Sequence, residues 1–236
     1  MSAVSDEHGY TLIELLVGVM LSLLVLGAIL TVVQVAVTNQ DRTAERVAAN
    51  QRGRPVMTRI IDRLHSACVA PKMTPVRAGS DDDSLIVLSK AGSAAVLSPD
   101  RYVIGLEGGA LTEAVYPYAS GEAPEWTFAQ TPGASTVLVD GIGAAAVGEP
   151  PQAVPLFRYY AYEDVDKDGK IETVPLGTPL SEETAARTVR VDVAFSVAPP
   201  SGTVKDPEGA IALTDSATLR IEPASEDSAQ VNLPCV

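Results

Sequence analysis

The sequence predicts an α+β protein. A long N-terminal helix, hydrophobic at first and then amphipathic, packs on an antiparallel β-sheet head. Three observations carry this reading. Leu15 to Val37 contains no formal charge over 23 residues. Val56, Ile60, Ile61, Leu64 and Cys68 then fall on one helical stripe. The remainder breaks into short β-type runs punctuated by Gly and Pro, with no alternation of strand and helix that would signal a parallel sheet.

The apolar run LLVGVMLSLLVLGAILTVVQVAV spans about 34 Å as a helix, enough to cross a bilayer. A secretory signal has a basic start, a shorter apolar core and a small-residue cleavage site. Here the start, MSAVSDEHG, is acidic and the run is long, so a retained membrane helix is expected. One ionisable residue, Glu14, stands at its head. The polar stretch NQDRTAERVAANQRGRP follows, helix-compatible until Gly53 and Pro55. Pro55 suits the first turn of a second helix, or a kink. The N-terminal quarter is therefore one very long helix or two in series.

Beyond it, SLIVLS (84–89), AAVLS (94–98), RYVIGL (101–106) and ALTEAVY (110–116) read as strands, with Glu107-Gly108-Gly109 as a hairpin turn. STVLVDGI (135–142), LFRYYAYE (156–163), KIETV (170–174), TVRVDVAFSV (188–197) and SATLRIE (216–222) follow. In TVRVDVAFSV, alternation puts Val189, Val191, Val193 and Phe195 on one face. Asp81-Asp82-Asp83 reads as a solvated loop. The single tryptophan, Trp126, reads as packing a core or hairpin ahead of serving as a ligand platform.

Net charge is −13, unevenly spread. Residues 1–41 carry four acids and no Lys or Arg, whereas 42–77 carry eight basic residues against Glu45 and Asp62. Residues 78–236 carry nine basic residues against twenty-four acids. A basic neck and an acidic head result. Phosphate attraction dominates non-specific nucleic-acid affinity, so no nucleic-acid partner is expected. The arginines after the apolar run, Arg42, Arg46, Arg52 and Arg54, would by charge alone place that end on the cytoplasmic side.

The two cysteines, Cys68 and Cys235, are in an exported protein most simply a disulfide, the alternative being two free thiols. The bond would close a loop of roughly 167 residues and constrain the unfolded chain by ~5 kcal/mol in the entropic model. No GxSxG, HExxH, P-loop or GxGxxG occurs, and the two histidines are His8 and His65, so an enzyme is not expected.

Asp164-Val-Asp166-Lys-Asp168-Gly169-Lys-Ile171 matches the first eight positions of a calcium loop, with carboxylates at positions 1, 3 and 5 and Gly at 6. Pro175 replaces the usual bidentate Glu, and Glu172 at position 9 is the available substitute. Strand-like flanks exclude an EF-hand. The two readings are a hairpin-tip calcium site with ligands Asp164, Asp166, Asp168 and Glu172, and a solvated Asp/Gly turn. No other cofactor is required.

GYTLIELLVGVMLSLLVLGAIL resembles the N-terminal segment of type IV pilins and the related pseudopilins of secretion and competence systems. The resemblance implies cleavage by a prepilin peptidase between Gly9 and Tyr10, and N-methylation at Tyr10. It also implies assembly through Glu14, which neutralises a neighbour's N-terminal amine. Implied boundaries are a leader at 1–9, a transmembrane and filament-core helix at 10–38, an amphipathic neck helix at 39–69 and a β-rich head at 70–236. RYVIGLEGGALTEAVY, TVLVDGIGAAAV, FRYYAYEDVDKDGKI and RTVRVDVAFSV resemble the strands of minor pilins and larger pseudopilins, and LPCV resembles a terminus pinned by a disulfide. The function so implied is that of a structural subunit, a minor pilin of a type IV pilus-like filament. Its partners would be other pilin subunits, the peptidase, the assembly platform and membrane lipid. It would be single-pass in the cytoplasmic membrane with an extracytoplasmic head, then part of an extracellular or envelope-spanning filament. The alternatives are a pseudopilin of a secretion or competence machine, and an unprocessed single-pass protein displaying a calcium-binding or adhesive head.

Overall fold

A computed structural model describes residues 11–68, 75–89, 98–121, 125–200 and 210–219. The chain divides into two compact units, residues 1–45 and 46–236. Helix α1 runs Leu12–His65, so its first part belongs to one unit and its last part to the other. In the first unit the side chains of α1 are exposed from Leu12 through Val37.

In the second unit α1 becomes one-sided. Ala49, Gly53, Val56, Met57, Ile60 and Leu64 are buried at helical spacing. Gly53 and Pro55 do not end the helix. Pro55 lies inside it on the exposed side, where water can take the carbonyl that loses its donor. Gly53 faces the sheet. A Cβ there would overlap Leu213 Cδ1 and stand 2.8 Å from Val197 Cγ2. The glycine expected to break the helix instead lets it approach the sheet closely.

Two antiparallel sheets receive this face. The first has the order β1 (Ser84–Ser89), β2 (Asp100–Glu107), β3 (Ala110–Tyr116), β6 (Ala134–Asp140). The β2–β3 hairpin turns at Gly108 and Gly109, both at positive φ, as a two-residue turn of this hand requires. The second sheet has the order β11 (Glu172–Pro175), β10 (Phe157–Glu163), β12 (Arg190–Val197), β13 (Ile211–Thr218). The run expected as one strand at 135–142 divides at Gly141 (φ 68), and β7 (Ile142–Gly143) crosses to pair with the end of β12. Among the described residues, two short ribbons accompany these sheets: β4 (Tyr118–Ser120) with β5 (Thr127–Phe128), and β8 (Ala145–Val147) with β9 (Gln152–Val154).

The core joins the helix to both sheets. Val56, Met57, Ile60 and Leu64 pack with Leu85, Ile104 and Leu111 of the first sheet and with Phe157, Val191, Val193, Phe195 and Val197 of the second. Val191, Val193 and Phe195 thus share the predicted inner face, and Asp192 and Ala194 between them are buried as well, because β12 is central. Tyr159 bridges the sheets: its buried hydroxyl donates to the carbonyls of Asp81 and Ser84.

Other expectations need correction. The C-terminal strand, expected at 216–222, is Ile211–Thr218, since its length is set by pairing with all of β12. Asp81 is not simply solvated; its Oδ1 accepts from the amides of Asp83 and Ser84 and starts β1. A short helix α2, Glu182–Ala186, was not expected, although Ser181 and Thr184 form its capping box. The strand expected at 94–98 falls outside the described residues apart from Ser98, which is not in a strand.

Candidate functional site

The most unusual surface is the start of α1. Thr11 precedes the helix, and its Oγ1 accepts from the Glu14 amide at 3.3 Å while its carbonyl accepts from Leu15 at 3.2 Å. Thr11 is therefore the N-cap and Glu14 the third helical residue. A carboxylate there lies against the positive end of the helix dipole, favourable by about 0.3–1 kcal/mol on an exposed surface.

After Glu14 the helix is apolar all round and uncovered. Leu12 is 84% exposed, and Leu16, Leu23, Leu26 and Leu30 each remain more than half exposed. Its few hydroxyls are satisfied within the helix: Ser22 donates to the Val19 carbonyl and Thr31 to that of Ala28. Gln34 carries the single side-chain amide of this span, and so apolar an exposed helix is stable only when something else covers it. By length and composition it can cross a membrane.

Gly9 and Tyr10 lie outside the described residues. Cys68 follows the helix, is fully buried against Leu88 and is disulfide-bonded. Cys235 lies outside the described residues. Trp126 is half-buried against Cys68 and Leu88, a packing role of the kind expected.

At the β10–β11 tip, ligand oxygens of Asp164, Asp166 and Asp168 lie within 4.8 Å of one another, all exposed. The loop turns through Lys167 (φ 58) and Gly169 (φ 85), with the Gly169 amide donating to Asp164 Oδ2. Lys170 Nζ lies 2.6 Å from Asp168 Oδ2, and this hydrogen bond holds the Asp168 carboxyl below its ordinary range. Glu172 stands on β11 opposite Glu163, outside this group.

One constellation escaped the sequence reading. Glu113, on the inner face of β3, is 1% exposed. Arg59 Nη2 meets its Oε1 at 2.5 Å and Arg63 Nε its Oε2 at 3.3 Å, one helical turn apart on α1. Arg63 also lies 3.9 Å over the Tyr102 ring. Burial alone would push the Glu113 carboxyl up; the hydrogen bonds from Arg59 and Arg63 outweigh it and hold the group below its ordinary value. The available signal was alternation in ALTEAVY, which puts Glu113 on the face of Leu111.

The family model for the prokaryotic N-terminal methylation motif matches residues 4–30. This match supports a type IV pilin-like or pseudopilin precursor. The motif does not separate a pilin from a pseudopilin, and it points to a structural protein. The matched span holds Thr11, Glu14 and the first half of the uncovered helix. No curated protein matches the chain. No solved structure matches it either.

Proposed function

We propose that this chain is a prepilin whose mature form is a minor subunit of a type IV pilus-like filament. The peptidase cuts between Gly9 and Tyr10, and the new α-amino group at Tyr10 is methylated. Cleavage leaves Thr11 in place to cap the helix and Glu14 in its first turn. The apolar helix holds the subunit in the cytoplasmic membrane with its head outside, then passes into a bundle of like helices. There Glu14 meets the Tyr10 amine of a neighbouring subunit. A carboxylate at this depth is tolerated better than one at the bilayer centre, where insertion scales give about 2.5–3.5 kcal/mol.

One observation carries this reading. The apolar helix is uncovered over Leu12–Val37, and Glu14 is its one charged side chain before Asp41. A membrane explains the apolar surface, and a partner's amine explains the acid. The Cys68–Cys235 pairing closes the head, and calcium binds the tip through Asp164, Asp166 and Asp168, whose convergence supports that assignment.

Mass spectrometry of the N-terminal peptide from membrane-extracted protein tests the proposal. A peptide beginning at methylated Tyr10 is expected. An intact Met1 or Ser2 in cells with active prepilin peptidase would replace it with an unprocessed single-pass anchor.

A further inference from the structure

A cleft of about 600 Å³ opens in the head where the start of β2, strand β5 and helix α2 meet. Arg77, Arg101, Trp126, Phe128, Gln130 and Glu182 line it. This volume lies in the range of small-molecule sites. Its charge is unexpected for so acidic a head. Among the described residues, neither Arg77 nor Arg101 has a carboxylate partner.

Arg101 is held by rings instead. Its guanidinium lies 4.3 Å over Tyr116 and 5.6 Å from the Phe128 centroid, and its Nε is buried with no acceptor. Aromatic faces stabilise the positive charge but take none of its in-plane N–H groups. A planar fork fixed in this way is suited to a carboxylate.

We infer that this cleft binds a carboxylate-bearing sugar of the uronic-acid type. The carboxylate lies on Arg77 and Arg101. The sugar's C–H face lies on Trp126 and Phe128, and its hydroxyls bond Gln130 and Glu182 at the rim. The surrounding charge narrows the ligand. Nine basic residues against twenty-four acids in 78–236 repel polyanions and the acidic head of another copy, whereas one carboxylate among neutral hydroxyls meets little repulsion. The inference does not depend on filament assembly, since the cleft belongs to one chain.

Trp126 is the only tryptophan, so its fluorescence reports the cleft directly. The full chain in detergent micelles is titrated with glucuronate, with glucose and with an N-acetylated, amidated Glu-Glu dipeptide. Glucuronate is expected to shift Trp126 emission saturably, with glucose at least about tenfold weaker, the loss of one charge-assisted contact. Arg77→Gln and Arg101→Gln should each weaken glucuronate about tenfold and leave glucose unchanged. Circular dichroism checks folding, and Arg77→Gln, away from the Tyr116 ring, serves if Arg101→Gln does not fold. No response of the wild-type chain to glucuronate overturns the inference, as does an equal response to glucose. Tighter binding of the dipeptide overturns it in favour of a peptide site.

Discussion

Arg59 on α1 and Glu113 on β3, separated by 54 positions in sequence, meet through Nη2 and Oε1, the carboxylate buried and the guanidinium half exposed at the surface of the head. With Arg63 on the second oxygen, the contact fixes the rotation of the helix against the first sheet. Apolar packing alone is non-directional and would tolerate small rotations. A buried carboxylate does not, because misplacing it leaves a charge without a partner.

Glu113→Ala should therefore destabilise the head by about 3 kcal/mol, the lower end of what breaking a buried pair causes. The lower end applies because Arg59 and Arg63 are 46% and 21% exposed and can rehydrate. The pH dependence has a definite sign. The folded Glu113 carboxyl lies below its ordinary value, so its contribution is present above the unfolded pKa and is lost as pH falls through the folded one. Urea unfolding at pH 7 and below pH 4 should show the wild type losing stability on acidification and Glu113→Gln losing less of it.

Gly53 sets a second constraint on the same interface. Gly53→Ala gains about 1 kcal/mol in helix propensity. It also drives a methyl group against Val197 Cγ2, and Val197 is buried and stiff at χ1. Overpacking of this kind costs about 1–3 kcal/mol. The alanine variant should be less stable by about 1 kcal/mol, and Gly53→Val less stable still, because a second β-branched side chain then enters the contact. A fall in the urea midpoint at unchanged slope would report this.

These two residues show where sequence reading ends. The helix, most strands and the inner face of β12 followed from periodicity, which is local. Gly53 looked like a breaker because its meaning lies in Val197 and Leu213, distant in the chain. Glu113 looked like one acid among many until β3 turned it inward toward two arginines a turn apart. Strand β13 was displaced for the same reason, since pairing with β12 set its ends. At the N-terminus the opposite held. The apolar run with Glu14 at its head was legible, because hydrophobicity is encoded within a few residues, whereas the Thr11 cap emerged only with its contact to the Glu14 amide.

At the β10–β11 tip, Lys170 competes for a carboxylate that calcium would use. Calorimetry of the full chain in detergent should detect calcium binding at millimolar levels or below, the range of extracellular calcium modules. Asp166→Asn should abolish the heat signal. Lys170→Ala should strengthen it, because Asp168 is then released from its ammonium partner. An absence of heat in the wild type together with no effect of Asp166→Asn would leave the loop a solvated turn.

Glu14 yields the most discriminating prediction. If its partner is the Tyr10 amine of a neighbour, Glu14→Ala should leave synthesis, membrane insertion and peptidase cleavage intact, since the apolar helix and the Gly9–Tyr10 junction are unchanged. Incorporation into sheared filaments should fall at least about tenfold, the loss expected when one charge-assisted contact is removed from each junction. Glu14→Asp keeps the charge on a side chain one methylene shorter and should fall between the two. The Thr11 cap separates this effect from helix fraying. Thr11→Ala removes the hydroxyl that accepts from the Glu14 amide and costs about 1 kcal/mol at the helix end, but it retains the carboxylate. Its filaments should therefore survive. If both variants assemble normally, Glu14 has no amine partner and serves only the first turn of its own helix. If both fail alike, helix-end geometry rather than charge governs assembly.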